Sequence, residues 1–199
     1  MMAGTAAELF RLLDREVWIV TASTETSRGG LVATSVMQAS IVPDEPRVVV
    51  GIARQHATWS LIEASGVFAL HLIAPDRIDL AERFGLHSGR EIDKFAGLEL
   101  LDGQCDPPIL AASVAWLRCE VESGWDSGDR TFYLAAVTAQ MVPKPFPDIL
   151  TMRQLIASAT PSMLANLRSQ ITADATRDAA AIRRWRERLS KHDKSPHQD

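Results

Sequence analysis

Two stretches of this sequence carry residue types suited to holding a flat ring with a phosphorylated tail. In the run from Gly29 to Ser60, GGLVATSVMQASIVPDEPRVVVGIARQHATWS, the small hydroxyl residues Thr34, Ser35 and Ser40 interrupt an apolar strand. Along a simple alternating strand Thr34 and Ser40 share a face. Small residues there let a planar ring approach the backbone, while hydroxyls and main-chain N–H groups hydrogen-bond its polar edge. Half-buried strands also tolerate Ser and Thr for ordinary packing reasons, so this signal alone decides little. The second stretch, Ala53-Arg54-Gln55-His56-Ala57-Thr58, ends a strand and opens a helix. An Arg beside a helix N-terminus with a hydroxyl cap, here Thr58, is a ready phosphate site. A solvated Arg and a purely structural cap are the plain alternative. The two stretches, one strand apart, together fit the phosphorylated ring.

Self-sufficient catalytic motifs are missing. There is no GxGxxG or GxxxxGK[ST] fingerprint, no HExxH, no CxxC pair and no GxSxG elbow. The five histidines, His56, His71, His87, His192 and His197, lack ligand spacing apart from the last two, so no metal site is expected. An enzyme built from this chain would take its reactive group from a cofactor.

The elements that must position these residues can be read from periodicity. Residues 5–15 have apolar residues at helical spacing, Leu9, Leu12 and Leu13 with Phe10 alongside. Val17 to Ala22 reads as a buried strand, Ser27-Arg28-Gly29-Gly30 as a turn, and LVATSVMQASIV as a second strand pairing back on the first. Val48 to Ile52 is a third strand, apolar enough to be buried on both faces. A helix from Thr58 to Ala64 ends at Gly66, VFALHLIA is a fourth strand, and a helix from Asp76 to Phe84 closes at Gly85. Residues 86–108, which include Gly103, are loop-rich. Ser113 to Ser123 and Thr131 to Val142 are long strands of one hairpin, joined by Gly124 to Asp129, a loop longer than the tightest turns. Beyond the prolines at 143–147, residues 151–190 read as helix, capped at Thr160 before Pro161. Sequential strands joined by turns favour an antiparallel barrel over a doubly wound sheet.

Composition bounds the rest. The 199 residues are 46% hydrophobic and 23% charged with net charge −4, ordinary values for a globular domain. No apolar run nears the roughly 18 residues of a membrane helix, and the N-terminus lacks a secretory core, so a membrane role is not expected. Two distant cysteines, Cys105 and Cys119, suit reduced thiols in the cytoplasm. The charge is uneven: residues 177–199 hold seven Lys or Arg and four Asp or Glu, +3, which leaves −7 for the remainder. Arg183, Arg184, Arg186 and Arg188 then form a solvated or partner-docking face, too narrow for nucleic acid.

The order of these segments resembles the flavin reductase-like family, the FMN-binding split barrels. The landmarks are WIVTA, the Gly-rich turn, ATSVMQASIVPDEP, VVVGIARQHATWSLIEASGVFALHL, the helix ending RFG, DKFAG and the hairpin GWDSGDRTFYLAAV, over roughly residues 9–142. The resemblance implies a mainly β split barrel with flanking helices (α+β), residues 1–148, and a helical extension with a basic tail, residues 149–199. It implies a homodimer with FMN near the interface, FAD being the alternative flavin, and NAD(P)H as electron donor. Carried over, Thr34, Ser35 and Ser40 line the ring, and Ala53, Arg54 and Thr58, with His56, meet the phosphate. Phe84, Asp93, Lys94 and Phe95 fall on segments that close over the flavin.

Three departures stand out. The family hairpin commonly reads Gly-Asp-His, its His associated with the nicotinamide; here it is Gly128-Asp129-Arg130, placing Arg130 on the nicotinamide side. The tandem prolines become Pro43-Asp44-Glu45-Pro46, and the basic C-terminal helix is an addition. The leading expectation is an NAD(P)H-dependent FMN oxidoreductase passing a hydride to flavin and on to a small-molecule acceptor. The alternatives are a flavin-binding electron carrier with a protein redox partner, and a barrel that has lost its cofactor. Related pyridoxamine-phosphate-oxidase-type barrels also bind FMN.

Overall fold

The computed structural model describes residues 4–101 and 107–192; Gly103, Cys105, His197 and the tail from residue 193 lie outside the described residues. The chain runs α1 (Ala6–Leu12), β1 (Trp18–Ser23), β2 (Arg28–Ala33), β3 (Val36–Gln38), β4 (Arg47–Ala53), α2 (Ala57–Ser65), β5 (Val67–Leu72), α3 (Ile78–Leu86), β6 (Leu100–Leu101), β7 (Ile109–Leu110), β8 (Ala115–Asp126), β9 (Arg130–Met141), α4 (Met152–Ser158) and α5 (Pro161–His192). Seven strands form one sheet in the order β2-β1-β5-β8-β9-β4-β3, every neighbouring pair antiparallel. β2 and β3 stand at opposite edges of that sheet. Only Thr34 and Ser35 join them, so the sheet must curl until its edges meet. The Gly51 N–H donates to the Ser35 carbonyl at 2.9 Å, which carries the β3–β4 ladder one residue into this link. The result is the split barrel expected from the order of elements.

The second strand read from the sequence is therefore two. Its residues leave the β1 pairing at Thr34 and resume in β3 against β4, Val36 opposite Val50. Ser27 to Gly30 is likewise not the turn: β2 already begins at Arg28. The two glycines serve close packing. A Cβ on Gly29 would sit 2.8 Å from Leu61 and one on Gly30 2.6 Å from Phe84. α2 and α3 can press onto opposite faces of β2 only because both positions lack side chains.

Alternation along β1 separates two cores. Val20 and Ala22 point into the barrel with Leu31, Val50, Ile52, Phe68, Leu70, Tyr133 and Ile62 of α2. Val17 and Ile19 face outward, under Leu80, Ala81 and Phe84 of α3, Leu150, Leu155 of α4 and Met163 of α5. The segment after the prolines is thus knitted to the barrel: the Val17 N–H donates to the Leu150 carbonyl at 3.0 Å, and Leu150 N–H to Ile73 at 2.8 Å.

Buried polar groups pin the layers. His71, fully buried on β5, meets the Ile19 carbonyl through Nδ1 at 3.1 Å, while the Leu110 N–H donates to its Nε2 at 3.2 Å. An acceptor Nε2 fixes the neutral tautomer with its proton on Nδ1. Burial accordingly lowers the His71 pKa to about 4. Helix α1 differs: Leu9, Phe10, Leu12 and Leu13, the apolar residues that mark it as amphipathic, are all more than half exposed. Among the described residues no helix is long and apolar enough to cross a membrane.

Candidate functional site

The end of β4, the start of α2 and the tip of the β8–β9 hairpin converge. Ala53 pairs with Arg130 across the β4–β9 ladder, and the Arg54 N–H donates to the Asp129 carbonyl at 3.2 Å. Two features read separately in the sequence, the loop after β4 and the residue on the nicotinamide side, are therefore direct neighbours. The Arg54 guanidinium lies 3.2 Å from Asp126 and 5.1 Å above the Trp59 ring, whose Nε1 donates to Thr131 at 2.9 Å. The hairpin turn is shorter than the sequence suggests: only Ser127, Gly128 and Asp129 separate the strands. Gly128 takes φ +99°, which favours glycine, and the Gly128 N–H donates to Asp126 at 2.7 Å.

Helix α2 starts at Ala57, with His56 and not Thr58 at its N-cap, and His56 makes no side-chain cap bond. Thr58 is 2% exposed because it lies in the first turn and faces β2; its Oγ1 would be 3.2 Å from a Cβ on Gly29. Uncapped first-turn N–H groups of a helix attract anions. Desolvation lowers the His56 pKa, against the attraction of Asp174.

Asp174 belongs to α5, and this helix supplies what the sequence reading missed. Its half-buried residues Leu167, Gln170, Asp174, Asp178, Ile182 and Trp185 recur at intervals of three and four, forming one stripe. Along that stripe Gln170 donates to the Gly85 carbonyl at 3.2 Å, and Gln55 donates to Asp174 at 2.8 Å. Arg177 bridges Asp174, at 2.9 Å, and the Gln55 side-chain oxygen. Arg130 is held between Asp129 at 2.6 Å and Asp178 at 3.4 Å. A Cβ on Gly128 would lie 2.7 Å from Trp185, so the hairpin tip and α5 touch backbone to side chain. The spacing D-x-x-R-D at 174–178 was the available sign. Arg188 reaches Asp126 at 3.5 Å, whereas Arg183, Arg184 and Arg186 are exposed.

The remaining candidates sit elsewhere. Phe84 and Phe95 pack edge to face, centroids 5.3 Å apart, in the outer core. Lys94 is 6% exposed and its Nζ donates to the Gly30 and Phe84 carbonyls, both at 2.8 Å. Desolvation lowers the Lys94 pKa to about 8. Beside it Asp93 pairs with Arg28 at 2.9 Å, on the rim of a cleft of about 380 Å³ lined by Arg28, Gly29 and residues 89–95. Thr34 and Ser35 form the barrel seam, near Gly51. Ser40 stands beyond the other end of β4, where its hydroxyl accepts from the Val42 N–H at 3.1 Å. Seven residues of strand put it on the order of 20 Å from Arg54. Within one copy of the chain, Arg54, His56, Thr58 and Arg130 gather; Ser40 and the pair Phe84 and Lys94 lie apart from them.

Comparison with known proteins gives a consistent picture. The profile of the Flavin reductase like domain matches residues 10–154. The high molecular weight rubredoxin of Moorella thermoacetica is 32% identical over 124 residues, 61% of this chain and 53% of that protein. The reductase subunit HsaB of a flavin-dependent monooxygenase from Rhodococcus jostii is 33% identical over 91 residues, 46% of this chain and 45% of its own. The chain thus spans about half the length of the curated relatives it matches. Among solved structures, a homologue of nitrilotriacetate monooxygenase component B from Mycobacterium thermoresistibile superposes with TM-score 0.62 at 26% identity, over 79% of this chain and 93% of that one. The styrene monooxygenase flavin reductase of Pseudomonas putida gives TM-score 0.62 at 25% identity, over 74% and 91%.

Proposed function

The chain belongs to the flavin reductase-like domain family, and from that premise we propose that it is an FMN-binding oxidoreductase that takes a hydride from NAD(P)H and passes electrons to an acceptor. The observation that carries this reading is the N-terminus of α2, without a side-chain cap, directly after Arg54 and His56 and close to Arg130, the ladder partner of Ala53. That donor set suits a phosphate: helix N–H groups supply the direct bonds and the arginines the charge. FMN is the flavin it fits, with FAD the alternative. When bound, flavin supplies the ring that accepts and releases the hydride. The chain's own part is to anchor the phosphate at α2, admit the ring beside the Thr34 and Ser35 seam, and present Arg130 on the nicotinamide side. The protein should purify yellow, and its visible bands should bleach on adding NADH or NADPH. A protein that binds FMN and stays yellow with both donors overturns the reductase reading.

Arg54 offers a second test. Hydrogen bonds to charged groups contribute about 1.5–3 kcal/mol. Arg54→Ala should therefore weaken FMN binding by about tenfold to a hundredfold and leave riboflavin, which lacks the phosphate, unchanged in a fluorescence-quenching titration.

The same reading includes a homodimer. It is supported by the exposure of Leu9, Phe10, Leu12 and Leu13 on α1 and of Met37, Ile41 and Val42 around β3. It includes a cytoplasmic setting, in keeping with a buried Cys119 thiol that burial pushes up to about 12, and a division into a barrel, 1–148, and a helical extension, 149–199. A second reading, an electron carrier reduced by a protein partner, is favoured by one observation: Arg130 is clamped by two carboxylates where the resemblance would place a His. Reduction by a partner reductase but by neither nicotinamide would select it. A protein partner of the kind that a reductase subunit of a flavin-dependent monooxygenase serves, the monooxygenase component, is likewise a proposal for this chain.

A further inference from the structure

Resting on the flavin-binding reading, we propose that the distal half of α5 is a clasp that competes with the ligand's phosphate: Asp178 holds Arg130, which a phosphate at α2 would draw away, and Asp174 holds Gln55 in the loop that leads into α2. Asp174 accepts from Gln55, in the loop that leads into α2, and is a near neighbour of His56. Asp178 holds Arg130, the cross-strand neighbour of Ala53. Both carboxylates therefore face the ground on which a phosphate dianion would stand, and like charges there repel.

The other charges on this face of α5 do not reverse the sign. Arg177 is neutralised by its own Asp174 and tied to Gln55. Arg188 shares Asp126 with Arg54, so it loosens the hold of Asp126 on Arg54. The acidic groups are crowded as well: burial raises the Asp178 pKa, and Asp129 adds to the effect. Apart from these polar ties, the distal half of α5 rests on the barrel through Ile182 and Trp185, set over Gly128 at the hairpin tip. The start of α5 is held differently, by Met163 in the outer core and Gln170 on Gly85. A phosphate that attracts Arg54 and Arg130 and repels Asp174 and Asp178 would release the distal half and leave the first turns in place. The docked helix is then a gate on the hairpin edge of the site, where Arg130 lies.

The test uses the full chain and two ligands that share a ring, FMN and riboflavin. At saturation FMN should raise amide hydrogen exchange in residues 174–190 by about tenfold or more, the effect of a shift of one decade in the docking equilibrium. Riboflavin should leave those residues unchanged, and residues 161–170 should keep their protection with either ligand. Asp174→Asn combined with Asp178→Asn should bind FMN about tenfold more tightly and riboflavin as before. Protection of residues 174–190 by FMN, or no change there while FMN quenches normally, overturns the clasp and leaves the flavin reading intact. If neither flavin is quenched, the flavin reading fails and this inference falls with it.

Discussion

Phe84→Ala should cost about 3–5 kcal/mol of folding stability, read as a shift in the midpoint of urea unfolding. The resemblance places Phe84 on a segment that closes over flavin. The structure puts its ring in the outer core, 1% exposed, edge to face with Phe95 and against the backbone of Gly30. Truncation leaves a cavity beneath α3 that the rigid β2 backbone cannot fill. The converse substitution should also destabilise. Gly30→Ala places a Cβ 2.6 Å from Phe84, and relieving that clash means displacing α3. A Phe84→Ala protein that keeps its stability and loses only flavin affinity would show that the ring belongs to a binding surface. The same geometry explains Lys94: its ammonium joins the Gly30 and Phe84 carbonyls, tying α3 to β2 from the inside.

The second large effect is a pH dependence set by His71. Its folded pKa is lowered from 6.5 to about 4 by burial, so the native state holds the ring neutral while the unfolded chain protonates. The unfolded state therefore binds more protons between those two values. Stability is fully present above pH 6.5 and is lost as pH falls from 6.5 towards 4, by on the order of 3 kcal/mol from this residue. Urea unfolding at pH 7 and pH 4.5 should show the loss. In His71→Gln, which has no proton to gain, that part of the slope should vanish. A wild-type slope that survives the substitution would assign the acid sensitivity to other groups. Charging His71 also removes the acceptor for the Leu110 N–H, so acid should loosen β7 against β5 first.

Much of the fold was legible in the sequence. The apolar runs of β1, β4 and β5 and the long pair β8 and β9 stand out because strands buried on one or both faces must be written in Val, Ile, Leu and aromatic residues. Gly66 marks the end of α2 by its left-handed φ of 69°. The loop before α2, with Arg54, could be singled out because a phosphate needs an arginine and free helix N–H groups close together in the chain. Local chemistry is visible locally.

Tertiary structure decided what depends on residues distant in sequence. Nothing near Thr34 says that the chain must change partners there. That follows from the sheet curling until β2 and β3, at its two edges, are linked by two residues. Gly29 and Gly30 look like a turn because glycine permits both a turn and a close approach, and only the positions of Leu61 and Phe84 choose between them. Thr58 looks like a cap until its side chain is seen packed on β2. The basic C-terminal helix reads as a docking surface by its net charge. Yet it docks on its own barrel through two acids, Asp174 and Asp178, because a 32-residue helix anchored at Met163 reaches back over the hairpin. Residue types fixed the kinds of chemistry available to this protein, and the closure of the barrel with the return of α5 fixed which groups meet, since both are set by contacts between segments far apart along the chain.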